Sequence, residues 1–144
     1  MISEYEVMLQ VRSPYVVSLH QATKTKKNYY FFFEYYNGGD LRKLFNAKGK
    51  HLSEKIVQVV STQICKGLCY LSSLNIIHWD LKLDNIFIHF PSQPADQQVS
   101  DEFLKNWDPD NDPIECAIGD LGFAKKMDDF STKSYCGTPL NMAP

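Results

Sequence analysis

No apolar run in this sequence approaches the ~20 residues a membrane-spanning helix needs, and no secretory leader pattern opens it. Charge of one sign is not in excess either. Fifteen Lys and Arg stand against 17 Asp and Glu, a formal net charge of −2, which gives no reason to expect nucleic acid or an anionic membrane as partner. The four cysteines, Cys65, Cys69, Cys116 and Cys136, lack the Cys-x-x-Cys spacing of a zinc site. Cys65 and Cys69 are four apart on one face of an expected helix and read as reduced core thiols. Such thiols fit a reducing, cytoplasmic compartment. Asp108, Asp110 and Asp112 copy the first three ligands of a calcium loop. Pro113, however, stands where that loop requires glycine, and Gly119 where it requires a bidentate glutamate, so a calcium loop is excluded.

What is present is enough for a sizeable core: 144 residues, 44% of them hydrophobic, or about one globular domain. Val7, Met8 and Val11 share a helical face over residues 1–11, and Pro14 ends that helix. Residues 15–19 and 29–35 are β-branched or aromatic and predict two strands, joined by a basic turn at 23–27. Asp40 is placed to cap a helix over 41–47. The strongest helical pattern runs over 53–74, with Ser53 as cap, apolar residues at Ile56, Val60, Ile64, Leu68 and Leu71, and Asn75 as terminator. Residues 91–114 form an acidic, proline-containing surface insertion, in which a short helix over 101–107 packs down through Phe103 and Trp107.

The chain is organised around residues 76–89, an apolar lead-in, a polar loop and a second apolar run. The loop holds a carboxylate (Asp80), an ammonium (Lys82) and a neutral oxygen ligand (Asn85), the groups that metal-assisted phosphoryl transfer requires. Downstream, residues 118–125 again run from an apolar strand to an aspartate, Asp120, followed by Leu121 and Gly122.

The order His78-Trp79-Asp80-Leu81-Lys82-Leu83-Asp84-Asn85, then Asp120-Leu121-Gly122, then Gly137-Thr138-Pro139 with Met142-Ala143-Pro144, resembles the eukaryotic protein kinases. Phe123-Ala124-Lys125 and Cys136-Gly137-Thr138 carry a fainter resemblance to the autophagy-initiating kinases. The resemblance implies an α+β, two-lobed fold that is incomplete here. Residues 1–36 would be the end of the N-lobe and the hinge, and residues 37–144 the first part of the C-lobe.

It implies ATP and Mg2+ as cofactors and a protein substrate with a Ser or Thr acceptor. Asp80 would orient the acceptor hydroxyl and Lys82 would neutralise the γ-phosphate. Asn85 and Asp120 would hold magnesium, and Thr138 would support the substrate site. Phe33 would back the adenine pocket, Phe87 would lie under the base, and the backbones of Glu34 and Tyr36 would bond its edge. Asp40 would reach the ribose, if capping does not claim it, and Glu4 would pair with the ATP-binding lysine. His78, with Met8, Leu19 and Leu121, would belong to the buried apolar stack that links the lobes.

Three positions depart from the pattern: Trp79 stands for arginine, Leu121 for phenylalanine and Asn141 for tyrosine. No glycine-rich loop or strand lysine precedes Glu4. The 144 residues are therefore expected to be inactive alone, and to expose apolar surface at Leu19, strand 29–35 and helix 53–74. A pseudokinase scaffold and a kinase-like small-molecule phosphotransferase are the competing functions; Lys82 and the Gly-Thr-Pro segment weigh against the second.

Overall fold

The computed structural model of the chain describes residues 7–126 and Thr138. Residues 7–10 are helical and bury Val7 and Met8, with Val11 just beyond. β1 (Leu19–Lys24) and β2 (Tyr29–Phe33) then form an antiparallel hairpin. β3 (Gly39–Asp40) leads directly into α1 (Leu41–Ala47), and α2 (Glu54–Ser73) follows. Next come β4 (Ile76–Ile77), a 3-10 turn at Leu83–Asn85 and β5 (Ile86–His89). After α3 (Asp101–Asn106), β6 (Glu115–Ile118), a second 3-10 turn at Leu121–Phe123 and β7 (Lys125–Lys126) complete the described elements. The architecture is the mixed α+β arrangement expected.

β3, β5 and β6 make an antiparallel sheet in that order, with Ile86 opposite Ile118 and His89 opposite Glu115. α2 packs against β6. Val16, Leu71, Ile86, Ile88, Phe90, Leu104 and Ile118 are among the fully buried side chains at the centre. Burying each such residue stabilises by about 1.5–3 kcal/mol. The core holds β5 and β6 in place, and the two polar loops leave from the ends of those strands.

Both expected caps form. The Asp40 carboxylate accepts from the Lys43 N–H at 2.8 Å, the Ser53 hydroxyl accepts from that of Ile56, and Asn75 ends α2 at φ 56°. The first strand lies later than its composition suggests. Within residues 15–17 only isolated bridges form, from Val16 to Ser13 and to Ile118, because Val16 pairs beside β6 before the chain crosses to the hairpin. Thr23 and Lys24 consequently belong to β1, paired with Tyr30 and Tyr29, and the turn closes over Thr25 and Asn28.

Two burial expectations are corrected. Cys65 and Cys69 are exposed, not core thiols. The buried stripe of α2 runs through Ile56, Val60, Gly67 and Leu71, and at 100° per residue both cysteines fall on its far side. Cys116, inside β6, is the buried thiol, and burial pushes its pKa up to about 12. Leu19 is buried at 4% exposure, whereas the other two expected surfaces are open: all five aromatic residues of β2 are exposed, and so is Val57 in α2.

Gly67 lies where α2 crosses the Tyr15 backbone. A Cβ there would stand 2.6 Å from the Tyr15 carbonyl oxygen and 2.9 Å from Ile118 Cδ1. A backbone carbonyl cannot swing aside, so overpacking at the upper end of ~1–3 kcal/mol outweighs the ~1 kcal/mol that alanine gains in helix propensity. Gly67→Ala is expected to lower the urea midpoint by the equivalent of about 1–2 kcal/mol at unchanged slope. A midpoint at or above that of the native protein would show that this crossing has slack.

Candidate active site

The loop between β4 and β5 and the turn after β6 each hold one residue in an unusual conformation. Trp79 has φ 68°, and Asp120, at the end of β6, has φ 55°. Left-handed backbone at non-glycine residues is uncommon and persists where surrounding contacts impose it. Here His78 supplies the tie. It is 4% exposed, its Nε2 donates to the Gly119 carbonyl at 2.8 Å, and its Nδ1 accepts from the Asp80 N–H at 3.3 Å. A neutral imidazole protonated on Nε2 satisfies both bonds. The Gly119 N–H in turn donates to the Asn85 carbonyl at 2.8 Å. His78, Met8, Leu19 and Leu121 are all buried, as the stack implied by the resemblance requires.

Asp80 is 3% exposed, and its carboxylate is the centre of a dense network. Oδ2 accepts from Lys82 Nζ at 2.6 Å and from Asn85 Nδ2 at 3.2 Å. Oδ1 accepts from the Thr138 N–H at 2.7 Å and its hydroxyl at 2.6 Å. Lys82 Nζ also donates to Thr138 Oγ1 at 3.0 Å, and Asn85 Nδ2 to the Asp80 carbonyl at 2.9 Å. The Lys82 ammonium, then Thr138, hold the Asp80 carboxyl at about 2, well below its ordinary value. The same hydrogen bond, donated by Lys82 to Asp80, raises the pKa of Lys82.

Asp120 lines a cavity of about 540 Å3 next to this network. Phe33, Glu34, Tyr36, Gly39 and Phe87 are among its other lining residues. The Tyr36 hydroxyl donates to Glu34 at 3.1 Å, and the Tyr36 and Phe87 rings lie 6.0 Å apart. Burial, with Glu34 beside it, pushes the Tyr36 pKa up. Asp120 Oδ1 accepts from the Gly122 N–H at 3.4 Å.

Asp80, Lys82, Asn85 and Thr138 are thus in direct contact, while Asp120, Phe33, Glu34, Tyr36 and Phe87 border one cavity. Asp40 is committed through Oδ1 to capping α1. Glu4, Cys136 and Asn141 lie outside the described residues. The Trp79 indole N–H is buried and has no partner among the described residues, consistent with a ring that packs and does not replace a guanidinium.

Two residues at this site carried no usable signal in the sequence. Asn37 is fully buried and clamps the start of the insertion. Its Oδ1 accepts from the Phe90 N–H at 2.8 Å, and its Nδ2 donates to the carbonyls of Phe90 at 3.0 Å and Pro94 at 3.2 Å. In Asn-Gly-Gly it reads only as a turn residue. Gln98, from the same insertion, lines the cavity. The insertion is also less superficial than its composition implies, since Val99, Leu104, Trp107 and Ile114 are buried and Phe103 and Trp107 pack edge-on to Phe90.

Comparison with known proteins identifies protein kinases as relatives. The chain is 34% identical over 142 residues to cAMP-dependent protein kinase catalytic subunit 3 of Drosophila melanogaster, covering 99% of this chain and 20% of the relative. It is 37% identical over 155 residues to the probable serine/threonine protein kinase IRE of Arabidopsis thaliana, covering 99% and 13%. Serine/threonine-protein kinase ULK3 of Homo sapiens is 30% identical over 145 residues, covering 100% and 26%. The chain therefore spans about a quarter or less of the length of each of these three relatives. The family model described as "Protein kinase domain" matches residues 1–144, and the chain belongs to that family.

Proposed function

We propose that the full-length protein is an ATP-dependent serine/threonine protein kinase that transfers the γ-phosphate to a protein hydroxyl. The observation that carries this is the buried Asp80 carboxylate, bonded by Lys82, Asn85 and Thr138 beside the cavity that Asp120 lines. A carboxylate held at about 2 is too weak a base to store a proton at neutral pH. Its part is to accept the acceptor hydroxyl's hydrogen bond and orient the oxygen for attack, taking the proton only late, as the new P–O bond forms and the bond to the leaving diphosphate breaks. Lys82, charged and directed at the same point, offsets negative charge that develops on the transferred group.

The donor set suits magnesium. Asn85 turns its Nδ2 toward Asp80, which leaves Oδ1 for a cation, and Asp120 offers a carboxylate; both are hard oxygen donors. Bound there with ATP, magnesium would neutralise phosphate charge and align the leaving group. The backbones of Glu34 and Tyr36 would bond the adenine edge, with Phe33 behind it and Phe87 beneath. Asp40 would face the ribose, Glu4 would pair with the ATP-binding lysine, and Thr138 would fix Asp80 and Lys82 against the acceptor. Among the described residues no helix is long and apolar enough to cross a membrane, and a cytoplasmic location forms part of the proposal.

The test uses labelled Mg-ATP and a generic basic protein acceptor. Native full-length protein is expected to label serine or threonine, and Asp120→Ala to reduce the rate by at least the ~10²–10³-fold typical of one preorganised electrostatic group. Label on tyrosine would overturn the acceptor class. Transfer that survives Asp120→Ala would overturn the assigned chemistry, and absence of transfer by native protein would favour a scaffold.

A further inference from the structure

The insertion between β5 and β6 does not hang free of the cavity; it is fastened on both sides of Gln98. Upstream, Asn37 Nδ2 holds the Pro94 carbonyl at 3.2 Å. Downstream, the Val99 N–H donates to the Asn37 carbonyl at 2.9 Å, and Lys43 reaches both the Val99 carbonyl at 3.4 Å and Asp101 at 3.3 Å. Val99 itself is buried. Between these ties Gln98 is exposed and borders the cavity beside Gly39. A Cβ built on Gly39, where φ is 74°, would stand 3.1 Å from Gln98 Nε2. Glycine thus lets the carboxamide close over this rim. No described residue hydrogen-bonds that carboxamide.

We infer that Gln98 is a specificity-determining residue for the nucleotide sugar. The inference rests on the kinase reading above, which places the base against Glu34 and Tyr36 and the phosphates toward Asn85 and Asp120. The sugar then lies along Gly39, next to Asp40. Asp40 spends Oδ1 on the α1 cap and, ionised, offers acceptors alone. A carboxamide offers a donor and an acceptor together, which matches a vicinal diol, whose hydroxyls each donate and accept. The ligand class is therefore a ribonucleotide with both sugar hydroxyls intact, recognised partly by a side chain that the insertion delivers.

The experiment is calorimetric titration of the full-length protein with Mg-ATP and with Mg-2′,3′-dideoxy-ATP, comparing native protein with Gln98→Ala and Asp40→Asn. One neutral hydrogen bond is worth about a three- to tenfold difference in affinity. Gln98→Ala is expected to weaken ATP by that factor, to leave the dideoxy nucleotide unchanged, and so to shrink the preference between them. Because Gln98 is exposed, its replacement should leave the melting temperature unaltered. Unchanged discrimination in Gln98→Ala would overturn the inference, most clearly if Asp40→Asn alone removed it. Failure of native protein to bind Mg-ATP would instead overturn the kinase reading, and this inference with it.

Discussion

Replacing Asp80 by asparagine is expected to slow phosphate transfer about 10³-fold while changing ATP affinity little. Asparagine has nearly the same shape, so the loop conformation set by His78 and the bond from Asn85 to the Asp80 main-chain carbonyl should persist. What is lost is charge. Lys82 gives up its 2.6 Å partner, and the acceptor hydroxyl loses the anion that orients it. Positioned proton acceptors typically contribute 10²–10⁴-fold, and that range sets the expected loss. Steady-state rates with a protein acceptor, alongside ATP titrations, separate the two quantities. A variant within about tenfold of the native rate would remove Asp80 from the chemistry.

The same carboxylate carries a pH signature. Its folded pKa, about 2, lies below the ordinary value near 3.9, so the charged form is favoured by folding. Its stabilisation is fully present above pH ~4 and is lost as pH falls toward about 2. Acid unfolding of native protein should therefore steepen through this window, and Asp80→Asn should flatten that part of the curve.

Asn37→Ala is expected to cost about 2–4 kcal/mol of stability, a large fraction of a typical ~5–15 kcal/mol margin. Asn37 is fully buried, and its removal leaves the Phe90 N–H and the carbonyls of Phe90 and Pro94 without these bonds. An orphaned buried polar group costs about 1–3 kcal/mol, and the three sit too close together for their costs to add in full. Asn37→Asp retains the acceptor for Phe90 but places an anion against two carbonyls, so it should not rescue. Urea midpoints check the magnitude. Amide exchange checks the location, since protection at Val99, whose N–H donates to the Asn37 carbonyl, should fall before that of β6. A loss below about 1 kcal/mol would mean that water replaces the clamp.

Much of the site is legible along the chain because its parts are local. Asp80, Lys82 and Asn85 occupy one short loop, and their spacing alone names a carboxylate, an ammonium and an oxygen ligand. The caps at Asp40 and Ser53 read just as directly, since each side chain reaches a backbone N–H three residues on. Helix, turn and loop chemistry act over three to five residues, and at that range residue order is nearly geometry.

Other features depend on contacts that order along the chain does not encode. Thr138 meets Asp80 across 58 residues and Asn37 meets Phe90 across 53, so neither pairing follows from spacing. Cys65 and Cys69 seemed as apolar as their neighbours, yet the face of α2 that turns inward was decided by where Tyr15 and Ile118 press on Gly67. Residues 15–19 have strand composition, but a nearby partner in β6 drew off Val16 and left the ladder to begin at Leu19. By itself the sequence determined the identities of the groups in the polar loop and the ends of the helices, because short-range bonds specify them. Tertiary structure alone decided which faces are buried, what holds the insertion, and that Gln98 reaches the cavity, because those follow from packing between segments distant in the chain.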